Sequence, residues 1–209
     1  MVIRDKGDTL VEVLFAVTVF SLIAVGSMSI MHQGTSAAQR ALEITLVRQE
    51  IDAQAEALRF LNTSYVAAYQ VHASNYPSDT AAGQWRIMQD SVIASGFTSA
   101  SNFGAEASCP TPPAGSFILN VKKATFVPPS SGKLTSAQTF AQVRYDSTSN
   151  EIDSADGIWI EAIRAATIAG NNQSTAGHID FHIRACWESP GQSNPVTLGT
   201  IVRLYEPRS

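Results

Sequence analysis

The chain has 209 residues, of which 44% are hydrophobic and only 15% charged, against about 25% charged in an ordinary globular protein. That length allows one domain with a real core, or one domain plus an extended element. The composition excludes disorder, the net charge of −4 argues against bulk nucleic-acid binding, and two cysteines exclude both a disulfide-dense miniprotein and a four-cysteine zinc module.

The first element is apolar. From Val13 to Gln39 no residue carries a formal charge. Leu10 to Met31 is mostly Leu, Val, Ile, Phe, Ala and Met, interrupted by Glu12, Thr18, Ser21, Ser27 and Ser29. About 20 apolar residues, at 1.5 Å each, match about 30 Å of hydrocarbon, so the stretch predicts a membrane-spanning helix. Its hydroxyls are tolerable because they can bond back to helix carbonyls. Arg4 and Lys6 precede the span, and no positive charge follows before Arg40. That asymmetry places the N-terminus in the cytoplasm and the bulk of the chain outside. Three readings fit: a cleavable secretory peptide, a plain membrane anchor, and a third that turns on Glu12. The first suffers from an apolar run that is too long and leads into more helix.

A carboxylate within a membrane helix costs roughly 2.5–3.5 kcal/mol near the centre and less towards the interface. Either Glu12 stays wet among the headgroups, or it meets a positive charge from another chain. The residues around it, Lys6-Gly7-Asp8-Thr9-Leu10-Val11-Glu12-Val13-Leu14, resemble the prepilin start of type IV pilins and pseudopilins. That pattern is a short charged leader, Gly at the cut, two aliphatics, then Glu five residues beyond the cut. The resemblance implies cleavage by a prepilin peptidase between Gly7 and Asp8, and methylation of the new amine. It also implies pairing of Glu12 with the amine of a neighbouring subunit during filament assembly. Asp8 stands where the family mostly has Phe, which puts a negative charge beside that amine. Ser21 and Ser29 replace the Gly and Pro of many major pilins; Gly26 and Gly34 can loosen the helix instead, by about 1 kcal/mol each.

Past the span, Ala37 to Leu61 has no Gly or Pro and is rich in helix formers. Ile44, Ile51 and Leu58 recur every seven residues, with Val47, Ala55 and Leu61 in the next row. This predicts an amphipathic helix whose stripe packs on a compact head, ending at Asn62-Thr63-Ser64. Trp85 to Ala94 predicts a short helix with Trp85, Met88 and Val92 inward. Asn75 to Ser78 and Ser99 to Gly104 read as loops. From Phe117 the period falls to two. Strands are expected at Phe117–Val127, Phe140–Tyr145, Ile158–Ile163, His178–Trp187 and Val196–Tyr205, with Ile179, Phe181, Ile183, Ala185 and Trp187 inward on the fourth. Turns are expected at Asp153–Gly157 and Gly170–Asn172, and a hairpin loop at Ser189–Pro195. Short connections between successive strands predict an antiparallel meander. The predicted fold is therefore α+β, a long N-terminal helix packed on an antiparallel sheet, which is also the pilin architecture. The segments are a leader 1–7, a transmembrane and assembly half 8–34, an amphipathic half 35–61 and a globular head 62–209.

Candidate chemistry in the head is sparse. With the head in an oxidising compartment, Cys109 and Cys186 are expected to pair, stapling a Pro-rich loop to a strand; the alternative is two buried free thiols. His178, Asp180 and His182 share one strand face, as metal ligands or as an ordinary polar face; no Cys or Glu cluster completes a site, and no metal is expected. Asp153, Asp156 and Gly157 lack the alternating acids of a Ca²⁺ loop. Arg144, Arg164, Arg184 and Arg203 fall one per strand: a basic stripe for DNA or an anionic surface, or cross-strand partners of Glu161, Asp180, Glu188 and Glu206, the reading we favour. No P-loop, nucleophile elbow, zinc-protease motif or triad context for Ser174 appears, so no catalytic residue, cofactor or small-molecule substrate is expected. The resemblance implies other pilin subunits, the prepilin peptidase and the membrane as partners, with a host-cell surface or DNA as possible contacts of the filament. It implies a single-pass prepilin in the inner or cytoplasmic membrane, then a surface pilus. A membrane-anchored extracellular binding module and a tip-located minor pilin acting as an adhesin are the alternatives.

Overall fold

The computed structural model describes residues 8–71, 75–93, 103–104, 107–164, 177–189 and 191–207. Helix α1 spans Asp8–Gln70, and the chain divides into two compact units, Met1–Leu42 and Glu43–Ser209. The first unit is the apolar part of α1. The second is the head, built among the described residues from the remainder of α1, a short helix α2 (Ala81–Met88) and eight strands.

The expected stripe forms the helical side of the head core. Val47, Ile51, Ala55, Leu58 and Leu61 are buried, and Ile44 packs against them. The expected stop at Asn62-Thr63-Ser64 does not occur, because tertiary contacts outweigh the weak helix propensity of these residues. Asn62 donates through Nδ2 to the Tyr205 carbonyl, and Ser64 returns its hydroxyl to the Phe60 carbonyl. Tyr65, one turn on, is buried beside Trp85, with ring centroids 6.4 Å apart.

Helix α2 starts earlier than its apolar periodicity suggests. Thr80 caps it, its side chain accepting from the Gly83 N–H at 3.1 Å, which satisfies one of the otherwise unpartnered first-turn donors. Trp85, Met88 and Val92 all point inward, as expected. Gly83 is obligatory: a Cβ there would lie 1.9 Å from the Pro77 carbonyl oxygen. Beyond Met88 the helix widens into a π-helical segment, Gln89–Ile93; Ala94 and residues 99–102 lie outside the described residues.

The strand region differs in detail from the expected simple meander. Phe117–Val127 is not one strand but a hairpin of β1 (Ile118–Asn120) and β2 (Thr125–Val127). Asn120 Oδ1 accepts from the Lys122 and Lys123 amides, and Ala124 takes φ +52°, so the chain reverses where periodicity alone reads straight on. Asp153–Gly157 is not a turn: β5 (Ile152–Asp156) lies between β3 (Leu134–Thr135), in parallel, and β4 (Gln142–Tyr145), antiparallel. The acids that suggested a turn serve as polar faces and partners; the chain only bends at Gly157, at φ +64°, where it passes from the sheet of β5 to that of the next strand. The last three strands do form the expected antiparallel meander, β6 (Ile158–Arg164), β7 (His178–Trp187) and β8 (Val196–Tyr205) in that order. Ile179, Phe181, Ile183, Ala185 and Trp187 form its buried row. The expected turn at Gly170–Asn172 lies outside the described residues.

Candidate functional site

The first candidate site is the apolar part of α1. It is long and apolar enough to cross a membrane, and every described side chain from Leu10 to Leu42 is exposed. Phe20, Leu22 and Ile30 are each more than 70% exposed. Burying one such side chain is worth about 1.5–3 kcal/mol, and a monomer in water does not leave so long an apolar surface uncovered. Three hydroxyls on this surface bond back to the helix: Thr18 donates to the Phe15 carbonyl, Ser21 to Val17 and Ser27 to Ile23, each at 2.8 Å. Unsatisfied, each would cost several kcal/mol in hydrocarbon.

Glu12 is the exception. It is exposed within the apolar surface, and among the described residues no cation of its own chain lies within ion-pair distance. It follows Asp8, the first residue of α1, by four positions, about one helical turn. Gly7 and the leader 1–7 lie outside the described residues.

In the head, Cys109 and Cys186 are joined, with Cα atoms 5.6 Å apart. The bridge ties the Pro-rich loop to β7 over a second, smaller buried layer on the outer face of the sheet. There Trp159 donates to Glu161 at 2.9 Å, Arg184 pairs with the same carboxylate at 3.3 Å, and the Phe103 ring covers both Trp159 and the Arg184 guanidinium. Simple alternation assigns Arg184 and Cys186 to solvent; both are buried, because the stapled loop covers that end of the sheet.

The four arginines are cross-strand partners rather than a free basic stripe. Arg203 grips Asp180 with two bonds of 2.7 Å, Arg164 reaches Glu206 at 3.2 Å, and Arg184 reaches Glu161. The fourth pairing differs from expectation: Arg144 takes buried Asp156 at 2.8 Å, and Glu188 is exposed. The Arg203 guanidinium holds the Asp180 carboxyl below its ordinary range, and burial pushes the His182 imidazole down. Asp180 is thereby committed to Arg203 rather than to a ligand shared with His178 and His182. Among the described residues no group of three or more His, Cys, Asp or Glu is placed to hold a metal; Ser174 lies outside them.

Sequence reasoning missed two polar residues that lock α1 to the head. Gln54, fully buried, donates to the Leu119 carbonyl at 2.9 Å and accepts from the Leu119 amide at 3.0 Å, continuing the edge of β1. Glu43 accepts from Trp187 Nε1 at 3.0 Å and from the Ser189 hydroxyl at 2.8 Å. The available signal for Gln54 was its place within the apolar stripe, between Ile51 and Leu58. Glu50 lies on the same side; burial pushes its carboxyl up, and burial together with the Glu50 charge pushes the Tyr145 phenol up to about 12. No family model, curated protein or solved structure matches this chain.

Proposed function

We propose that the chain is a structural subunit of a type IV pilus or pseudopilus. In this reading it is inserted in the membrane as a prepilin, cut after Gly7 and polymerised through its N-terminal helix. The observation that carries this reading is the fully exposed apolar part of α1 with Glu12 as its one formal charge between Leu10 and Gln39. Cleavage places a new ammonium on Asp8. In a low-dielectric surrounding, a neighbour's ammonium and the Glu12 carboxylate attract far more strongly than in water, and pairing removes the cost of an isolated buried charge. Apolar helix packing supplies the remaining cohesion.

Arg4 and Lys6 support a cytoplasmic N-terminus, and the Cys109–Cys186 bridge supports a head in an oxidising compartment. The subunit acts through assembly rather than through a reaction of its own, in a filament serving adhesion, twitching, DNA uptake or secretion. A minor pilin at the filament tip shares all of this chemistry and differs in copy number. A second reading, an uncut anchor carrying a binding head, is favoured by the self-contained core of residues after Leu42.

N-terminal sequencing of membrane-extracted protein separates the two, with Asp8 expected as the first residue. Glu12→Ala is expected to leave the protein stable in the membrane and to abolish its incorporation into filaments. Intact leader on all extracted protein, or normal incorporation of the variant, would overturn the assembly mechanism.

A further inference from the structure

A cleft of about 380 Å³ opens on the head, lined from the last turns of α1, from α2 and its π-helical extension, and from the chain after β8. Glu206 is its hub, accepting through Oε1 from Gln89 Nε2 at 2.9 Å and from Arg164 Nη2 at 3.2 Å. Nearby, Arg86 pairs with Asp90 at 3.3 Å. Each guanidinium is balanced by one carboxylate, so the cleft has no net charge with which to select an ion. Gln89, which lines the cleft, has its Oε1 closed to solvent and without a donor, a condition that costs about 1–3 kcal/mol. Gln89 and Asp90 belong to the π-helical segment; such segments are rare and concentrate at functional sites. Tyr65 and Tyr69, one turn apart with ring centroids 6.3 Å apart, set aromatic surface beside these polar groups.

We propose that this cleft binds a neutral saccharide. A sugar hydroxyl both donates and accepts, so one ring can offer donors to the carboxylates and acceptors to the guanidiniums while its C–H face lies on a tyrosine. A simple anion meets Glu206 and Asp90, a simple cation meets Arg86 and Arg164, and an apolar ligand takes water from both ion pairs while offering neither donor nor acceptor to their remaining bonding positions. The volume sits at the lower end of the roughly 300–1,000 Å³ of ligand sites, which suits a mono- or disaccharide. This assignment departs from the expectation of no small-molecule partner, and it is independent of filament assembly, since an uncut anchored chain carries the same cleft.

The test uses the full-length protein in a detergent without a sugar headgroup. Saturation-transfer NMR is run against galactose, glucose, mannose, N-acetylglucosamine and lactose, with sialic acid and phosphocholine as charged probes. At least one neutral sugar is expected to bind saturably, with Kd of about 1 mM. Tyr69→Ala and Gln89→Leu are each expected to weaken it at least about tenfold without moving the thermal midpoint by more than a few degrees. Tyr69 is only half-buried, so its variant keeps the test open if Gln89→Leu unfolds. Failure of all five neutral sugars, binding of the charged probes alone, or neutral-sugar binding that survives Tyr69→Ala in a folded protein would overturn the proposal.

Discussion

Removing the Cys109–Cys186 bridge tests how the head is held together. The bridge closes a loop with a sequence separation of 77, and chain entropy assigns such a closure about 4.5 kcal/mol at 25 °C. For a protein of this size, 1 kcal/mol moves the thermal midpoint by about 2–4 °C, so Cys109→Ala/Cys186→Ala should lower it by about 9–18 °C. Alanine is the right replacement at Cys186, which is 1% exposed; serine would bury a hydroxyl and add its own cost. The assays are thermal and guanidinium unfolding of the detergent-solubilised full chain, both followed by near-UV circular dichroism, which reports the tryptophans of the head. Protection of the Trp159 indole N–H from exchange should fall as well, because the stapled loop brings Phe103 over that ring at 5.8 Å. A loss below about 1 kcal/mol would refute the reasoning, since it would mean that the loop stays in place without its covalent tether. The same arithmetic bears on topology: a head retained in a reducing cytosol forgoes this stabilisation.

Gln54→Ala removes both bonds to Leu119 and leaves a buried N–H and C=O without their partner, so it should cost about 2–4 kcal/mol in the same unfolding assay. Gly83→Ala forces a methyl group into the Pro77 carbonyl and should cost at least about 2 kcal/mol, read as a lowered thermal midpoint. The Glu50–Tyr145 pair predicts two pH effects. Burial raises the folded Glu50 pKa, so the folded state binds the proton more tightly and stability falls as pH rises through and above the unfolded value near 4.5. Glu50→Gln should therefore stabilise the head at pH 7 and flatten that limb of the stability–pH curve. With the folded Tyr145 pKa near 12 against 10 unfolded, stability should fall again between pH 10 and 12, and Tyr145→Phe should reduce that fall.

Several features were legible before any coordinates. The uncharged apolar run, the heptad stripe from Ile44 to Leu61, the alternation of β7 and the inward set Trp85, Met88 and Val92 follow from local periodicity, which the hydrophobic effect converts directly into buried faces. The end of α1 was not legible, because Asn62, Thr63 and Ser64 have weak helix propensity, and the contacts that carry the helix past them, Asn62 with the Tyr205 carbonyl and Tyr65 with Trp85, are long-range. β5 was hidden because its acids mimic a turn until Arg144 and Thr135 engage Asp156.

The sequence by itself determined the apolar half of the helix, its lone carboxylate and the buried rows of α1, α2 and β7, since each depends on spacing along one chain. Tertiary structure decided the polar contacts: the Gln54 clamp, the layer of Trp159, Glu161 and Arg184 beneath the stapled loop, the choice of Asp156 over Glu188, and the cleft around Glu206. Such contacts join residues far apart in the chain: Gln89 and Glu206 are 117 positions apart, and Glu43 and Ser189 are 146. A buried polar group can take its partner from any part of the chain that folding brings within about 3 Å, and no local pattern records which part that will be.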